Sequence, residues 1–411
     1  MVNPTMNTSP TTPTSSTPQA QPHQGSLLTA GFLALGSFAI GTEGFMIAPL
    51  LPRMGADFGM SVSAVASLVI VFTLVLALSS PITTVLSAHI NRRNLLIGAM
   101  GIFTLANLLA AHSTGFASLL SSRLLMAVAA GLYTPNANAL AGAIVKPEQR
   151  GRALAIVSGG MTIAIALGLP LGSVVGHAFG WRATFLAVAA MGAAAVAGIW
   201  LGVDRRAGGQ LHVAGLRERL GVIGQSQIRR LLAVTLFWSV GAYAAYPYIA
   251  PYLSRTLAFG EAGIGMTVSL WGAAAAVGVT LGGTLNDRFG SRRVVRAALL
   301  LLMLAFWALA AATLLGPAQA LVPVLAAVAV WGFAVWAFFP AQMARLIAAG
   351  TPAQASVALS LNTSTMYLGF SLGSAVGAGI LGLGVVGGIG LFAGCCAMLG
   401  LVLDRSIGQG S

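Results

Sequence analysis

Polar residues are scarce along this chain and arrive in short clusters. Between the clusters run twelve apolar stretches, at residues 27–52, 63–90, 95–112, 116–145, 153–179, 184–203, 231–253, 264–285, 294–315, 321–346, 357–381 and 385–403. A helix needs about 20 apolar residues to cross the hydrocarbon core of a bilayer, and each stretch is of that order. The pattern predicts an all-α integral membrane protein with twelve transmembrane helices. Residues 27–203 and 231–404 make two six-helix halves, joined by a polar connector at 204–230 whose charge cluster (Arg217, Glu218, Arg219) suits a surface helix. Residues 1–26, rich in Pro, Thr, Ser and Gln, read as a disordered cytoplasmic tail. The first 25 residues hold no Lys or Arg, so they lack the positive opening of a signal peptide. A second short tail follows at 405–411.

Composition sharpens this picture. Only 7% of the 411 residues are charged and 57% are hydrophobic, against roughly a quarter charged in a soluble domain. So little charge cannot cover a globule of this size, which makes lipid the solvent for much of the surface. The 52 glycines suit helices that approach closely in a membrane. A net charge of +13 does not point to nucleic acid, because the basic residues lie in short loops between spans. Placing both termini in the cytoplasm puts 17 basic residues inside and only Arg53, Arg182 and Arg255 outside, a strong orientation signal. The expected location is therefore the plasma (inner) membrane, crossed many times. Cys395 and Cys396 are adjacent in the last span, where disulfide geometry is rarely met; they read as packing residues.

The halves repeat at an offset of about 200 residues. Ile47-Ala48-Pro49-Leu50 returns as Ile249-Ala250-Pro251-Tyr252, and Gly168, Gly172 and Gly176 return as Gly369, Gly373 and Gly377. Parallel six-helix halves with a central site between them are a transporter architecture. Two charges stand inside spans. Glu43 is the one acid of the eight placed deep in a span, and a carboxylate in hydrocarbon is by default functional. It can bind a proton when its surroundings disfavour charge and release it when they change. Arg123 lies in the fourth span. Both residues sit on the order of 10–14 Å below the outer surface at about 1.5 Å per helical residue, a depth that permits contact. Two readings of Arg123 stand side by side, a partner for Glu43 or a side chain snorkelling to the outer headgroups. For Glu43 the alternative to proton coupling is a neutral carboxyl bracing a bend near Gly41 and Gly44. Its counterpart in the repeat is Ala245, so the acid is not mirrored.

The run Gly283-Thr284-Leu285-Asn286-Asp287-Arg288-Phe289-Gly290-Ser291-Arg292-Arg293 resembles the loop between helices 8 and 9 of the major facilitator superfamily. The matching loop after helix 2 keeps Arg92 and Arg93 but carries Ala88 where the family has an acid. The resemblance implies a gating role for Arg92, Arg93, Asp287, Arg288 and Arg292, with Asp287 carrying the network that the first half has lost; the alternative is that the arginines only fix topology. Gly160, Ala164, Gly168, Gly172 and Gly176 are spaced by four, with Pro170 among them. Such a stripe serves close helix packing in many membrane proteins, and here it also resembles the helix 5 antiporter motif (Gly160, Gly168, Pro170, Gly172). Glu43-Gly44-Phe45 with Pro49-Leu50-Leu51-Pro52 is similar to the twelve-helix drug:proton antiporter branch, especially its sugar and chloramphenicol exporters. In that branch helices 1 and 4 face one cavity and the helix 4 arginine belongs to a motif, which implies that Glu43 and Arg123 are the proton-coupling residues.

The second half is richer in aromatic residues. Tyr246, Trp271 and Trp336, mid-span, are candidates for an aromatic cavity wall, with Asn136 and Asn362 as polar handles. Such a wall suits a small, mainly apolar compound, so the expected function is proton-coupled export by alternating access. Export of a sugar or nucleoside is the alternative within transport, and a non-transporting receptor or scaffold the alternative outside it. No P-loop is present, His residues show no metal-ligand spacing, and no nucleophilic constellation is visible. The chain is therefore expected to be no enzyme and to use no cofactor beyond a proton gradient. Its expected partners are a small-molecule substrate, protons and the lipid bilayer, and it is expected to act as a monomer.

Overall fold

A computed structural model describes residues 27–87, 89–205 and 221–407, and all regular structure among them is helical. Ala88 and the Arg217–Arg219 cluster lie outside the described residues. Among the described residues, twelve helices are long and apolar enough to cross a membrane. In chain order they are α1 (Leu27–Phe58), α2 (Val62–Thr83), α3 (Arg92–Ala111), α4 (Phe116–Ala143), α5 (Arg150–Gly168, continued by Leu169–Phe179) and α6 (Trp181–Gly202). The second set is α7 (Ser226–Leu257), α8 (Glu261–Phe289), α9 (Ser291–Ala312), α10 (Pro317–Ala348), α11 (Val357–Gly382) and α12 (Val386–Ser406).

Several helices outrun the apolar stretches that announce them. α1 continues past Pro52 as an amphipathic turn carrying Arg53 and Asp57, and stops where Gly59 takes a left-handed conformation (φ 63°) that an L side chain disfavours. α7 opens at Ser226 rather than 231, so Arg229 and Arg230 belong to its first turns and not to the connector. Hydropathy marks the hydrocarbon crossing, whereas helices extend into the interfacial layer where charges are solvated. Large apolar side chains such as Leu105, Leu186, Leu304 and Leu391 stand exposed on α3, α6, α9 and α12, a surface that lipid covers and water would not.

Within each half the glycine stripes fasten one helix pair. A Cβ on Gly160 of α5 would stand 2.2 Å from the Ala34 carbonyl oxygen of α1, and one on Gly373 of α11 would stand 2.2 Å from the Val240 carbonyl oxygen of α7. Side chains at those positions would push the backbones apart, so α1–α5 and α7–α11 depend on glycine there. Between the halves runs a seam, where α2 packs on α11 and α5 on α8. Polar contacts that join the halves include Arg53–Glu261, Tyr246–Phe45 and Ser371–Ile70, and the His177 ring faces Glu261 at 3.4 Å. All lie toward the end of the molecule that carries Arg53.

Proline interrupts the helices that border the seam. Pro49 has no N–H to give the carbonyl of Phe45, and α1 tightens there into a 3₁₀ turn over Ala48–Leu50. The Tyr246 hydroxyl of α7 donates to that freed Phe45 carbonyl at 2.8 Å. α7 has its own 3₁₀ turn at Tyr246–Tyr248, containing Pro247. α5 widens into a π-helical turn at Ala164–Gly168 just before Pro170, a local expansion of the kind that often marks functional sites.

Candidate functional site

Glu43 and Arg123 meet inside the first half. One Arg123 guanidinium nitrogen, Nη1, donates to Glu43 Oε1, and both side chains are fully buried. The Phe72 ring of α2 lies under the guanidinium, with Cζ 4.2 Å from the ring centroid, a cation–π contact strengthened by the absence of water. The pair is only partly satisfied. Glu43 Oε2, Arg123 Nε and Nη2, and the neighbouring Thr42 hydroxyl have no hydrogen-bond partner. Burying charge costs free energy unless every lone pair and proton is matched. A carboxylate with one free oxygen in such a place can lower that cost by taking a proton.

Beside the pair lies a small cavity between the halves. Its wall includes Gly44 and Phe45 of α1, Phe72 and Thr73 of α2, Tyr243 of α7 and Tyr367 of α11. It has room for about one water molecule, near 20 Å³. Phe72 therefore touches Arg123 on one side and lines the cavity on the other, and Tyr243, reaching from the second half, lies within electrostatic range of Arg123. Tyr243 belongs to the aromatic run of α7, but Phe72 and Tyr367 did not stand out in the sequence, because their role depends on which faces of α2 and α11 turn to the seam.

The residues expected to form the cavity wall lie elsewhere. Tyr246, Trp271 and Trp336 are buried in an aromatic cluster that closes the seam, with ring centroids 4.7 Å apart for Tyr246–Trp271 and 5.8 Å for Phe45–Trp336. Asn136 accepts from Arg92 Nη1 at 2.6 Å and so ties α3 to α4. Asn362 accepts from the Thr235 hydroxyl at 2.7 Å, beside Gln342, in a buried polar knot joining α7, α10 and α11. Buried amides need partners of their own, and these two find them in helix packing.

The gating loops also divide. Arg93 caps the end of α6, donating to Val203 O at 2.7 Å and Trp200 O at 2.5 Å. Asp287 is exposed and, among the described residues, makes no ion pair; its neighbour Asn286 lies 3.4 Å away. Arg288 rests over Phe289. An acid that does gather arginines on this side is Asp404 of α12, fully buried, which binds Arg296 Nε at 2.8 Å and also pairs with Arg345. One signal could have found it, since Asp204 and Asp404 end the two halves one repeat offset apart in the chain. The antiporter-motif glycines lie against α1, Gly168 over Thr42 and Gly172 over Met46, so this stripe seats the helix that bears Glu43.

A model of the Major Facilitator Superfamily matches residues 33–249. The chain is 29% identical to the MFS-type transporter YbcL of Bacillus subtilis, over 84% of this chain and 86% of that one. It is 31% identical to a chloramphenicol resistance protein of Streptomyces lividans, over 85% of this chain and 88% of the relative. Among solved structures, a bacterial homologue of the human lysosomal transporter Spinster superposes with a TM-score of 0.72 at 18% identity, covering 93% of this chain and 95% of the other. Twelve spanning helices in two seamed halves, with these matches, make the chain a multi-pass membrane transporter that belongs to the major facilitator superfamily.

Proposed function

We propose that the chain is a proton-coupled exporter of a small, mainly apolar, ring-bearing compound, working by alternating access. The observation that carries this reading is the half-satisfied Glu43–Arg123 pair beside the inter-half cavity. In this reading the arginine-rich end faces the cytoplasm, as the loop charges favour, and the membrane is the plasma membrane. The polar contacts across the seam then help close the outer end. Cargo enters the seam from the cytoplasm and favours the outward-facing state, while a proton taken by Glu43 from the outer side favours the return. Each ligand shifts the balance by its differential affinity for the two states. The protonated carboxyl no longer holds Arg123 by charge, and Phe72 and Tyr243 lie where that loosening meets the cavity. Opening the outer seam would uncover the Trp271 and Trp336 indoles, whose N–H groups have no partner here, as donors for cargo.

Chloramphenicol is the first cargo to test, since a relative is named for resistance to it. In everted vesicles energised to an acidic interior, the wild type should accumulate labelled chloramphenicol and lose it on adding a protonophore. Glu43→Gln should reduce gradient-driven accumulation to the level of vesicles without the protein, while exchange of cargo without a gradient persists. Gradient-driven accumulation by Glu43→Gln at the wild-type rate would remove Glu43 from the coupling role.

A further inference from the structure

A second titratable group sits at the Arg53 end of the seam, apart from the Glu43–Arg123 pair. His177 lies in the Leu169–Phe179 continuation of α5, and its Nδ1 is 2.9 Å from the Ser173 carbonyl oxygen. A carbonyl only accepts, so Nδ1 carries the hydrogen. In the neutral ring Nε2 is then a bare lone pair. That nitrogen is buried without a hydrogen-bond partner and lies 3.4 Å from Glu261 Oε2, on the other half. Arg53 grips Glu261 with two bonds, Nε at 2.7 Å and Nη2 at 2.5 Å, and its Nη1 donates to the carbonyls of Gly176 and His177 at 2.6 and 3.3 Å.

We propose that His177 is a second proton-binding site, loaded from the outer water, whose proton fastens Glu261 to α5 and holds the seam closed at that end. A proton on Nε2 replaces a lone pair facing a carboxylate with a charge-assisted donor. Imidazole is the side chain that exchanges its proton in the neutral pH range. The charged groups on the elements packed against this segment are Glu43, Arg53 and Asp57 of α1, Arg182 of α6, and Glu261, Asp287 and Arg288 of α8. Asp57 is engaged by Arg182 at 3.0 Å and Trp181 at 2.7 Å, Glu43 by Arg123, and Asp287 and Arg288 lie at the far end of α8. Arg53 and Glu261 remain; Arg53 turns its N–H groups to Glu261 and to the Gly176 and His177 carbonyls, so the Glu261 carboxylate, 3.4 Å away, is the acceptor that Nε2 faces. The inference rests on the proposed orientation and proton coupling. It adds that the acidic side gains a separate handle on the return step, because this proton enters and leaves on the outer side and is not carried.

The test places spin labels on two of the loops at this end, one from each half, Thr114→Cys and Leu314→Cys, in a Cys395→Ala, Cys396→Ala, Glu43→Gln background in liposomes. Removing Glu43 separates this site from the coupling site. Between about pH 8 and about pH 5.5 the ratio of short to long label distances should rise about three- to tenfold, the scale of one charge-assisted hydrogen bond at a half-exposed site. Adding His177→Gln, or independently Glu261→Gln, should flatten that response to within about twofold. No pH response in the Glu43→Gln background, or a response that survives both second substitutions, overturns the proposal. Gradient-driven transport by Glu43→Gln alone would instead count against the coupling role of Glu43 and leaves the distance measurement intact.

Discussion

Two buried carboxylates in this transporter each hold an arginine, and their surroundings differ in one respect. Asp404 has Arg345 on Oδ1 and Arg296 on Oδ2, and its own backbone carbonyl takes a further bond from Arg296 at 3.2 Å. Glu43 has Arg123 on Oε1 and no partner on Oε2. A matched buried charge is locked, because adding a proton would forfeit bonds already made. A half-matched one is poised, because the added proton lands on an idle atom. Burial alone, which the two acids share, does not separate a structural acid from a coupling acid.

Stability measurements can break that contrast. Asp404→Asn should cost the most, about 3–5 kcal/mol by analogy with other severed buried pairs, read as a fall in the apparent melting temperature in detergent. Glu43→Gln should cost less, about 1–2 kcal/mol, since its amide oxygen keeps the Nη1 bond and Phe72 keeps its contact with the cation. An equal loss from both substitutions would make Glu43 another structural acid. Tyr246→Phe removes the hydroxyl that meets the Phe45 carbonyl and should weaken the seal at the Arg53 end by about 1 kcal/mol, seen as faster thiol labelling of a cysteine placed in the seam. Asp287→Asn should leave melting temperature unchanged within error, because that exposed acid makes no ion pair among the described residues. A large loss there would restore Asp287 to the network that Asp404 occupies.

Features that follow from local pattern were legible in the chain. Apolar runs marked twelve crossings, four-residue spacing put the α5 glycines on one face, and equal depth brought Glu43 and Arg123 within reach of each other. Features that depend on long-range partners were not. Asp404 binds arginines 59 and 108 positions away, and nothing near Asp404 in the chain announces either. Tyr246 reads as a ring for cargo until Pro49 is seen to free the carbonyl that its hydroxyl satisfies. Asn136 and Arg92 were separate candidates, for cavity and gate, yet they bond to each other. Helical periodicity identifies the inward face of a span, but the inward face serves packing, sealing and cargo alike, and only the neighbour across the gap tells which.

The glycine contacts between α1 and α5 have a mechanical consequence. Gly160 lies directly against the Ala34 backbone, while Gly168 and Gly176 leave room only for the Thr42 and Leu50 side chains of α1; so little side-chain bulk separates the two helices that displacement of one is passed to the other. Glu43 rides on one member of this welded pair and His177 on the other. In the proposed cycle, two hydrogen ions, one taken at mid-depth and one at the rim, would pull on a single lever arm.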